Sequence, residues 1–142
     1  MHHHRINEIL HAYWDEVRGD RPMPLESDVN IEVLKDIWPH CFLVSVHPSY
    51  FAYSYLGPKL IDAYGDDITG REITEKLLYP HPEPMFAEFM KVTETQKPSE
   101  HEGEFTNTRG VKVLYRSAVL PLGAHGHQGI AFLLGGMKWK AV

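Results

Sequence analysis

The chain has very little cysteine, no long apolar run and no concentration of positive charge. Cys41 is the only cysteine among 142 residues, so an internal disulfide is impossible and a site built from several cysteines, such as a zinc ribbon or an iron–sulfur cluster, is excluded. No apolar run approaches the roughly 18–20 residues that a membrane-spanning helix needs. The N-terminal sequence MHHHR lacks the apolar stretch of a signal peptide. We therefore expect a cytoplasmic protein, with no membrane partner.

The remaining composition is that of an ordinary globular domain. Hydrophobic residues make up 43% of the chain and charged residues 23%, and the net charge is −5. An acidic chain without a Lys/Arg cluster is a poor nucleic-acid binder, so no nucleic-acid partner is expected. The length favours one folding unit. We divide it into an N-terminal helix with its connector, residues 1–27, and a domain over residues 28–142. The histidines at 2–4, native or left from a tag, carry no weight in this interpretation.

Two helices are predicted before the first strand. An apolar stripe at helical spacing runs along the first of them and comprises Ile6, Ile9, Leu10, Tyr13, Trp14 and Val17. Gly19 is a plausible end for this helix. A second helix is predicted after Asn30, which can cap it, and it ends at Pro39.

The spacing of apolar residues then changes to that of β-strands. Strands are predicted at residues 40–46 and 51–56, and again at 100–106, 111–120 and 130–139, with short helices between the two groups. The last of these helices begins at Pro84 and ends at Lys97-Pro98. This order predicts an α+β fold: a five-stranded antiparallel sheet with short helices on one face and an N-terminal amphipathic helix. We expect the second and final strands to be neighbours in that sheet.

Several short motifs support a family resemblance when they are taken in order. They are Tyr13-Trp14, Gly19, Arg21-Pro22-Met23-Pro24, Asp28-Val29-Asn30, Trp38-Pro39-His40, Tyr53-Ser54-Tyr55-Leu56-Gly57, Gly65-Asp66-Asp67-Ile68-Thr69-Gly70-Arg71, Tyr115-Arg116-Ser117 and Leu120-Pro121-Leu122. Over about residues 10–140 the chain resembles the short bacterial PAS family, in which a single PAS domain makes up nearly the whole protein. Two residues depart from the family pattern: Ser54 stands where an Arg is usual, and Pro58 where a Thr is usual. Ser54 puts in doubt any anion contact inferred from the family.

The resemblance implies a sensory or regulatory domain and not an enzyme. It also implies that a ligand, when present, lies between the sheet and the short helices. Aromatic rings with phenolic hydroxyls are suited to such a small-molecule site. The predicted ligand-binding residues are Tyr53, Tyr55, Phe86, Phe89, Met90, Tyr115 and Phe132. The alternative is that the same residues simply fill an aromatic core, which would leave a protein-interaction scaffold without a ligand.

No cofactor or metal can be named from the sequence. His81 and His101 lie in no recognisable haem motif, and Cys41 falls on a predicted strand rather than on a helix that a flavin-binding thiol would need. His125 and His127 lie in a glycine-rich loop without further ligands, and Asp66-Asp67 is typical of a solvated turn. No catalytic or metal-binding residues are therefore predicted.

The stripe on the first helix must be covered, because an isolated helix of this length is marginally stable in water. It can pack on the sheet of its own chain or on a second subunit. We expect a homodimer that uses Ile6, Ile9, Leu10, Tyr13, Trp14 and Val17, or a signalling protein partner. A remaining alternative is a small enzyme of the ketosteroid-isomerase type, which would need a buried carboxylate beside tyrosines, with Glu102 or Glu104 as the candidates.

Overall fold

The computed structural model describes residues 5–142, so the histidines at positions 2–4 lie outside the described residues. The α-helices are α1 (Ile6–Arg18), α2 (Pro58–Tyr64) and α3 (Glu83–Thr95), and two short 3₁₀ helices cover Glu26–Asp28 and Trp38–His40. The strands are β1 (Cys41–Val46), β2 (Phe51–Leu56), β3 (Ser99–Thr106), β4 (Lys112–Leu122) and β5 (Phe132–Ala141). Within residues 5–142, no helix combines the length and the apolar character that a bilayer crossing requires.

The five strands form one antiparallel sheet in the order β2-β1-β5-β4-β3. The α+β prediction is confirmed, but the expectation that the second strand lies beside the last was wrong. The first strand pairs with the last, Phe42 opposite Gly135, and β2 forms an edge. The reason is visible in β1, where consecutive residues, Cys41 and Phe42, are both fully buried on opposite faces. A strand buried on both faces belongs in the interior of a sheet.

The two faces of the sheet have separate cores. The face that carries α2 and α3 packs what we call the inner cluster, which includes Phe42, Tyr53, Phe89 and Tyr115. The other face packs the outer cluster, to which α1 contributes. Alternation along β4 serves both cores, because Tyr115 and Val119 point inward and Ala118 and Leu120 point outward.

Helix α1 lies directly on the outer face of β4 and β5. A Cβ added at Gly136 would lie 2.8 Å from the side-chain ends of both Ile6 and Leu10, so the missing side chain lets the helix approach the strand. The indole Nε1 of Trp14 donates to the Pro121 carbonyl at 2.8 Å, and the Asn7 amide donates to the Ser117 carbonyl at 3.0 Å. Apolar burial and two hydrogen bonds to the strand backbone thus fix α1 in place.

The helix predicted after Asn30 is replaced by consecutive turns over residues 31–37 and the 3₁₀ helix at Trp38–His40. Backbone bonds there span three residues, as from Val33 N–H to the Asn30 carbonyl, and Asn30 Oδ1 accepts from Glu32 N–H at 3.1 Å. Leu34 is buried, but Val33 is 64% exposed, so the segment has one buried anchor instead of a helical stripe. Of the short helices predicted between the two groups of strands, none forms between Tyr64 and Glu83, where the Thr74 hydroxyl accepts hydrogen bonds from the N–H groups of Lys76 and Leu77 and closes a bend.

Candidate functional site

Four of the predicted ligand-binding residues belong to the inner cluster. Tyr53, Phe89 and Tyr115 are buried members, and Phe86 packs against them from α3. The Phe89 ring lies 5.6 Å from Phe51 and 6.0 Å from Tyr53, both with T-shaped geometry. Aromatic pairs at these separations add about 0.5–1.5 kcal/mol each beyond the burial of area. The sequence thus identified the centre of the inner face correctly, although ligand binding there stays a prediction.

Tyr55 and Phe132 do not lie on the inner face, and their placement there was wrong. The pairing of β1 with β2 shifts between Leu43 and Val44, which pair with Tyr55 and Tyr53, so Ser54 is an extra residue in β2. Such a bulge reverses the face of the residues beyond it. Tyr55 stacks on Trp38 at 4.6 Å and donates to the Trp38 carbonyl at 3.0 Å. Phe132 packs with the outer cluster, because β5 alternates with Leu133 on the inner face.

Met90 is 41% exposed and lies at the mouth of a cleft instead of in the core. This cleft, which we call the α3 cleft, has a volume of about 410 Å³ and separates α3 from the β1–β2 hairpin and residues 73–75. Phe51, Ile73 and Phe86 supply apolar lining, and Thr93 is one of its polar residues. The volume lies within the usual range for small-molecule sites, about 300–1,000 Å³.

A chain of buried polar side chains lies behind the α3 cleft. Phe89 contacts Phe51 of the cleft on one side and Tyr53 and His81 of this chain on the other. The Tyr53 hydroxyl lies 2.8 Å from His81 Nε2 and 3.0 Å from the Tyr64 hydroxyl, and all three side chains are buried. Burial lowers the pKa of His81 to about 3, so the imidazole is neutral at pH 7. Burial also raises the pKa of Tyr53 and of Tyr64, so both phenols keep their protons.

Glu88 is a second buried polar group, and the sequence interpretation missed it. Its side chain on α3 is 4% exposed, and Oε1 accepts a hydrogen bond from Ser117 Oγ at 2.6 Å. Burial raises the pKa of Glu88, while the Ser117 and Ser99 hydroxyls act in the opposite direction. The sequence does contain an indication that Glu88 is buried. It falls three residues after Met85 and four before Val92, inside the apolar stripe of α3.

Three polar atoms in this region have no hydrogen-bond partner among the described residues: Glu88 Oε2, Tyr115 OH and His81 Nδ1. Burial, and next the nearby Glu88 carboxyl, raise the pKa of Tyr115. An unpaired buried polar atom lowers the free energy of unfolding by about 1–3 kcal/mol. Such atoms therefore indicate either a functional role that outweighs this loss or a site where a small polar molecule binds.

Ser117 connects this polar region to the other face of the sheet. Its hydroxyl donates to Glu88 on α3, and its carbonyl accepts the Asn7 amide on α1. One β4 residue therefore makes hydrogen bonds to a helix on each side of the sheet.

The other candidate groups of the sequence lie away from the inner face. Cys41 is buried in the outer cluster, its thiol donates to the Ile37 carbonyl at 3.3 Å, and burial raises its pKa to about 12. It therefore has no access to a ligand on the inner face. His125 and His127 are exposed, and in the described part of the chain no group of three or more His, Cys, Asp or Glu side chains is placed to hold a metal.

The acidic candidates are also exposed. Asp67 Oδ1 accepts from the Thr69 N–H at 3.0 Å and from the Thr69 hydroxyl at 2.6 Å, which lowers the pKa of the carboxyl and closes a local turn. Glu102 and Glu104 pair with Arg116 and Lys112 across the strands. Neither glutamate is the buried carboxylate that the isomerase alternative needs.

The stripe predicted as a dimer interface divides into two sets. Ile6, Leu10 and Trp14 are buried against the sheet of their own chain. Ile9, Tyr13 and Val17 are only partly buried. The Tyr13 hydroxyl accepts from the Asn30 N–H at 2.7 Å, so this residue also holds the connector. The first set is therefore covered within the chain, and the homodimer stays a prediction that depends on the second.

Comparison with known proteins identifies the family. The family model for the PAS domain matches residues 1–137, so the chain belongs to the PAS domain family and this domain makes up nearly all of its 142 residues. PAS domains are sensory and regulatory domains and are generally not enzymes. No curated protein matches the chain.

Solved structures agree with this assignment. A light-oxygen-voltage domain studied with a flavin analogue superposes with a TM-score of 0.58 at 12% identity, over 78% of this chain and 83% of that one. A fungal light-oxygen-voltage photoreceptor domain gives a TM-score of 0.51 at 20% identity, over 69% of this chain and 72% of that one. At these sequence identities the similarity shows only that the fold is shared.

Proposed function

We propose that this PAS domain is a non-enzymatic regulatory module that binds a small, mostly apolar molecule in the α3 cleft. The observation that carries the proposal is the cleft itself, because about 410 Å³ of space lies against Phe86 and Met90, two of the predicted ligand-binding residues. Its apolar lining and polar rim are the usual composition of a small-molecule site. The single, buried cysteine supports a reducing compartment, and we propose the cytoplasm.

Binding in this cleft would act on the inner core by contact. Phe51 contacts both Phe86, at 5.9 Å between ring centroids, and Phe89, at 5.6 Å. Phe89 is fully buried and contacts Phe42 of the interior strand β1, with 5.6 Å between the ring centroids. A ligand that shifts Phe86 or Phe51 therefore changes packing that reaches the strand beneath both clusters, and it biases whichever conformation it binds better.

The test is native mass spectrometry of the freshly purified chain, followed by titration with indole monitored by amide NMR. We expect indole to shift the amides of Ile73, Phe86 and Met90. The variant Met90→Trp should fill the mouth of the cleft and abolish these shifts, whereas Lys91→Ala, on the same helix outside the cleft, should leave them unchanged. Shifts that are absent, or equal in both variants, would refute the small-molecule function.

A second candidate function is a protein-interaction scaffold that pairs with itself. The observation in its favour is an apolar patch beside α1, where Ile31 is 53% and Val33 64% exposed. Val33, Ile9 and Tyr13 also border a shallow cleft of about 330 Å³. Light scattering of the chain and of Val33→Glu tests it: a dimer that the substitution dissociates supports the scaffold, and a monomeric chain at high concentration rejects it. The exposed Val111→Glu is the matched control.

A further inference from the structure

Within residues 5–142, no element covers the outer face of the sheet where α1 begins. The first residues of α1 lie over the row formed by Gly136 and Ala118. The next outward-facing rows along the same strands pair Arg116 with Lys138, and Leu114 with Lys140. These rows form a groove of about 540 Å³ between the N-terminus of α1 and the strands, which we call the outer groove.

Positive charge is concentrated in the outer groove. Arg5, Arg116, Lys138 and Lys140 line it, which is four of the 14 basic residues of the chain, against one of its 19 acidic residues, Glu102. The net charge of the whole chain is −5, so the groove has the opposite sign to the protein that contains it. Local charge of this kind attracts anions.

Three of the four cations in the groove are not neutralised by the part of the chain that the structure describes. Glu102 accepts from Arg116 Nε at 2.7 Å. Arg5, Lys138 and Lys140 make no ion pair within residues 5–142. Arg116 and Lys138 lie directly opposite each other on neighbouring strands, an arrangement of like charges that destabilises a sheet. An anion bound between them would remove this repulsion.

The groove is also partly apolar. Leu114, which is partly exposed, lines it together with the four cationic side chains, and the buried Ile6 borders it. A purely inorganic anion would leave the apolar lining unused, whereas an organic anion would use both parts of the surface.

We propose that the outer groove is a binding site for a small organic anion, a carboxylate or phosphate carried on an apolar body. The site is distinct from the α3 cleft, which lies on the other face of the sheet. An extended acidic peptide fits less well, because it would also pass Glu100, Glu102 and Glu104, which follow one another on the same face of the edge strand β3. A short anion can bind beside the lysines of β5, which β4 separates from β3. Volume, charge and apolar lining together favour a molecule of limited length.

The experiment titrates the full chain with decanoate and follows amide NMR shifts. We expect shifts at Leu114, Arg116, Lys138 and Lys140, and at least tenfold weaker binding of decanol, which has the same chain length without the charge. The double variant Lys138→Gln/Lys140→Gln should weaken decanoate binding about tenfold, and Lys138→Arg/Lys140→Arg should restore it. The matched control Lys76→Gln/Lys97→Gln removes two exposed lysines elsewhere and should change nothing.

Three results would overturn this site. Decanol and decanoate binding equally would show that the cations play no part. Decanoate shifts confined to the α3 cleft, or unaffected by the double glutamine variant, would place the ligand elsewhere. Binding of poly-glutamate to the groove without binding of decanoate would assign the surface to an acidic protein partner instead.

Discussion

Both faces of the sheet are packed against helices, but the side chains in the two cores differ. On the outer face, α1 packs through Ile6, Leu10 and Trp14, and the indole has its hydrogen-bond partner. On the inner face, aromatic rings pack around His81 and Glu88, each of which has one unpaired buried atom, whereas α1 on the outer face has one such atom, Asn7 Oδ1. The inner core therefore retains more unpaired polar groups that cost stability than the outer core does. Since buried polar groups seldom persist without a role, this difference supports the proposal that regulation acts through the inner face.

The largest effect is expected from Phe89, the side chain at the centre of the inner cluster. Phe89→Ala should lower the free energy of unfolding by about 3–5 kcal/mol, because the fully buried ring would leave a cavity among Phe42, Phe51 and Tyr53. Urea denaturation measures the change. Met90→Ala, at the exposed mouth of the cleft, should cost less than about 1 kcal/mol. Equal losses in the two variants would mean that Phe89 is not central to the core.

Two adjacent glycines of β5 compare the faces within one strand. A Cβ at Gly135 would lie 2.2 Å from the Phe42 ring and 2.7 Å from the Ala118 carbonyl, whereas at Gly136 the closest atoms are the flexible ends of Ile6 and Leu10 at 2.8 Å. We expect Gly135→Ala and Gly136→Ala each to cost about 1–3 kcal/mol, with Gly135→Ala the more damaging.

Hydrogen exchange distinguishes the two glycine variants. Gly136→Ala should accelerate exchange in α1 selectively, because only that helix rests on the residue. Gly135→Ala should accelerate it on the inner face. If Gly136→Ala left α1 protected, the close approach of helix and strand would not be what holds α1 in place.

The sequence predicted much of this arrangement because periodicity reports local structure well. Helix α1 with its stripe, the five strands and the PAS family were all predicted, and Tyr53 and Phe89 were placed on the correct face. The failures share a different cause, which is that they depend on pairing between distant segments. The bulge at Ser54 turns Tyr55 outward. Strand β1 pairs with β5 because its residues are buried on both faces of the sheet, and a local pattern does not show this.

The polar part of the inner face could be predicted only in part. Glu88 interrupts an apolar stripe, which is a detectable signal, but its partner Ser117 is 29 residues away. His81 lies within a proline-rich connection that has no periodicity, and it reaches Tyr53 only because the chain crosses the inner face there. Such convergence is a property of the fold and not of any local pattern.

The lowered pKa of His81 predicts that the protein loses stability in acid. This folded pKa of about 3 lies below the ordinary value of 6.5, so the unfolded chain binds the additional proton between these values. Stability from this group is complete above pH 6.5 and falls as the pH decreases, by about 2 kcal/mol between pH 7 and 5. His81→Gln should remove this fall in urea denaturation at the two pH values, whereas the exposed His127→Gln should keep it. An unchanged fall in His81→Gln would mean that another group titrates.

The raised pKa of Glu88 predicts a smaller change of stability with pH, opposite in sign to that of His81. The Glu88 pKa is raised in the folded state, so its contribution to stability is complete below its ordinary value of 4.5 and is lost as the pH rises through the folded value. Glu88→Gln keeps the oxygen that accepts from Ser117 and removes the charge. At pH 7 we expect the variant to be more stable than the parent by about 1 kcal/mol, the order of one buried hydrogen-bonding group.

The comparison that isolates Glu88 is urea denaturation of Glu88→Gln at pH 7 and at pH 4, with Glu94→Gln, exposed on the same helix, as control. The gain should be present at pH 7, absent at pH 4 and absent at both pH values in the control. A variant that loses stability at pH 7 would show that the carboxylate is stabilised by its surroundings. In that case the inner face would not carry the electrostatic cost that distinguishes it from the outer one, and the faces would differ only in how many aromatic rings each of them packs.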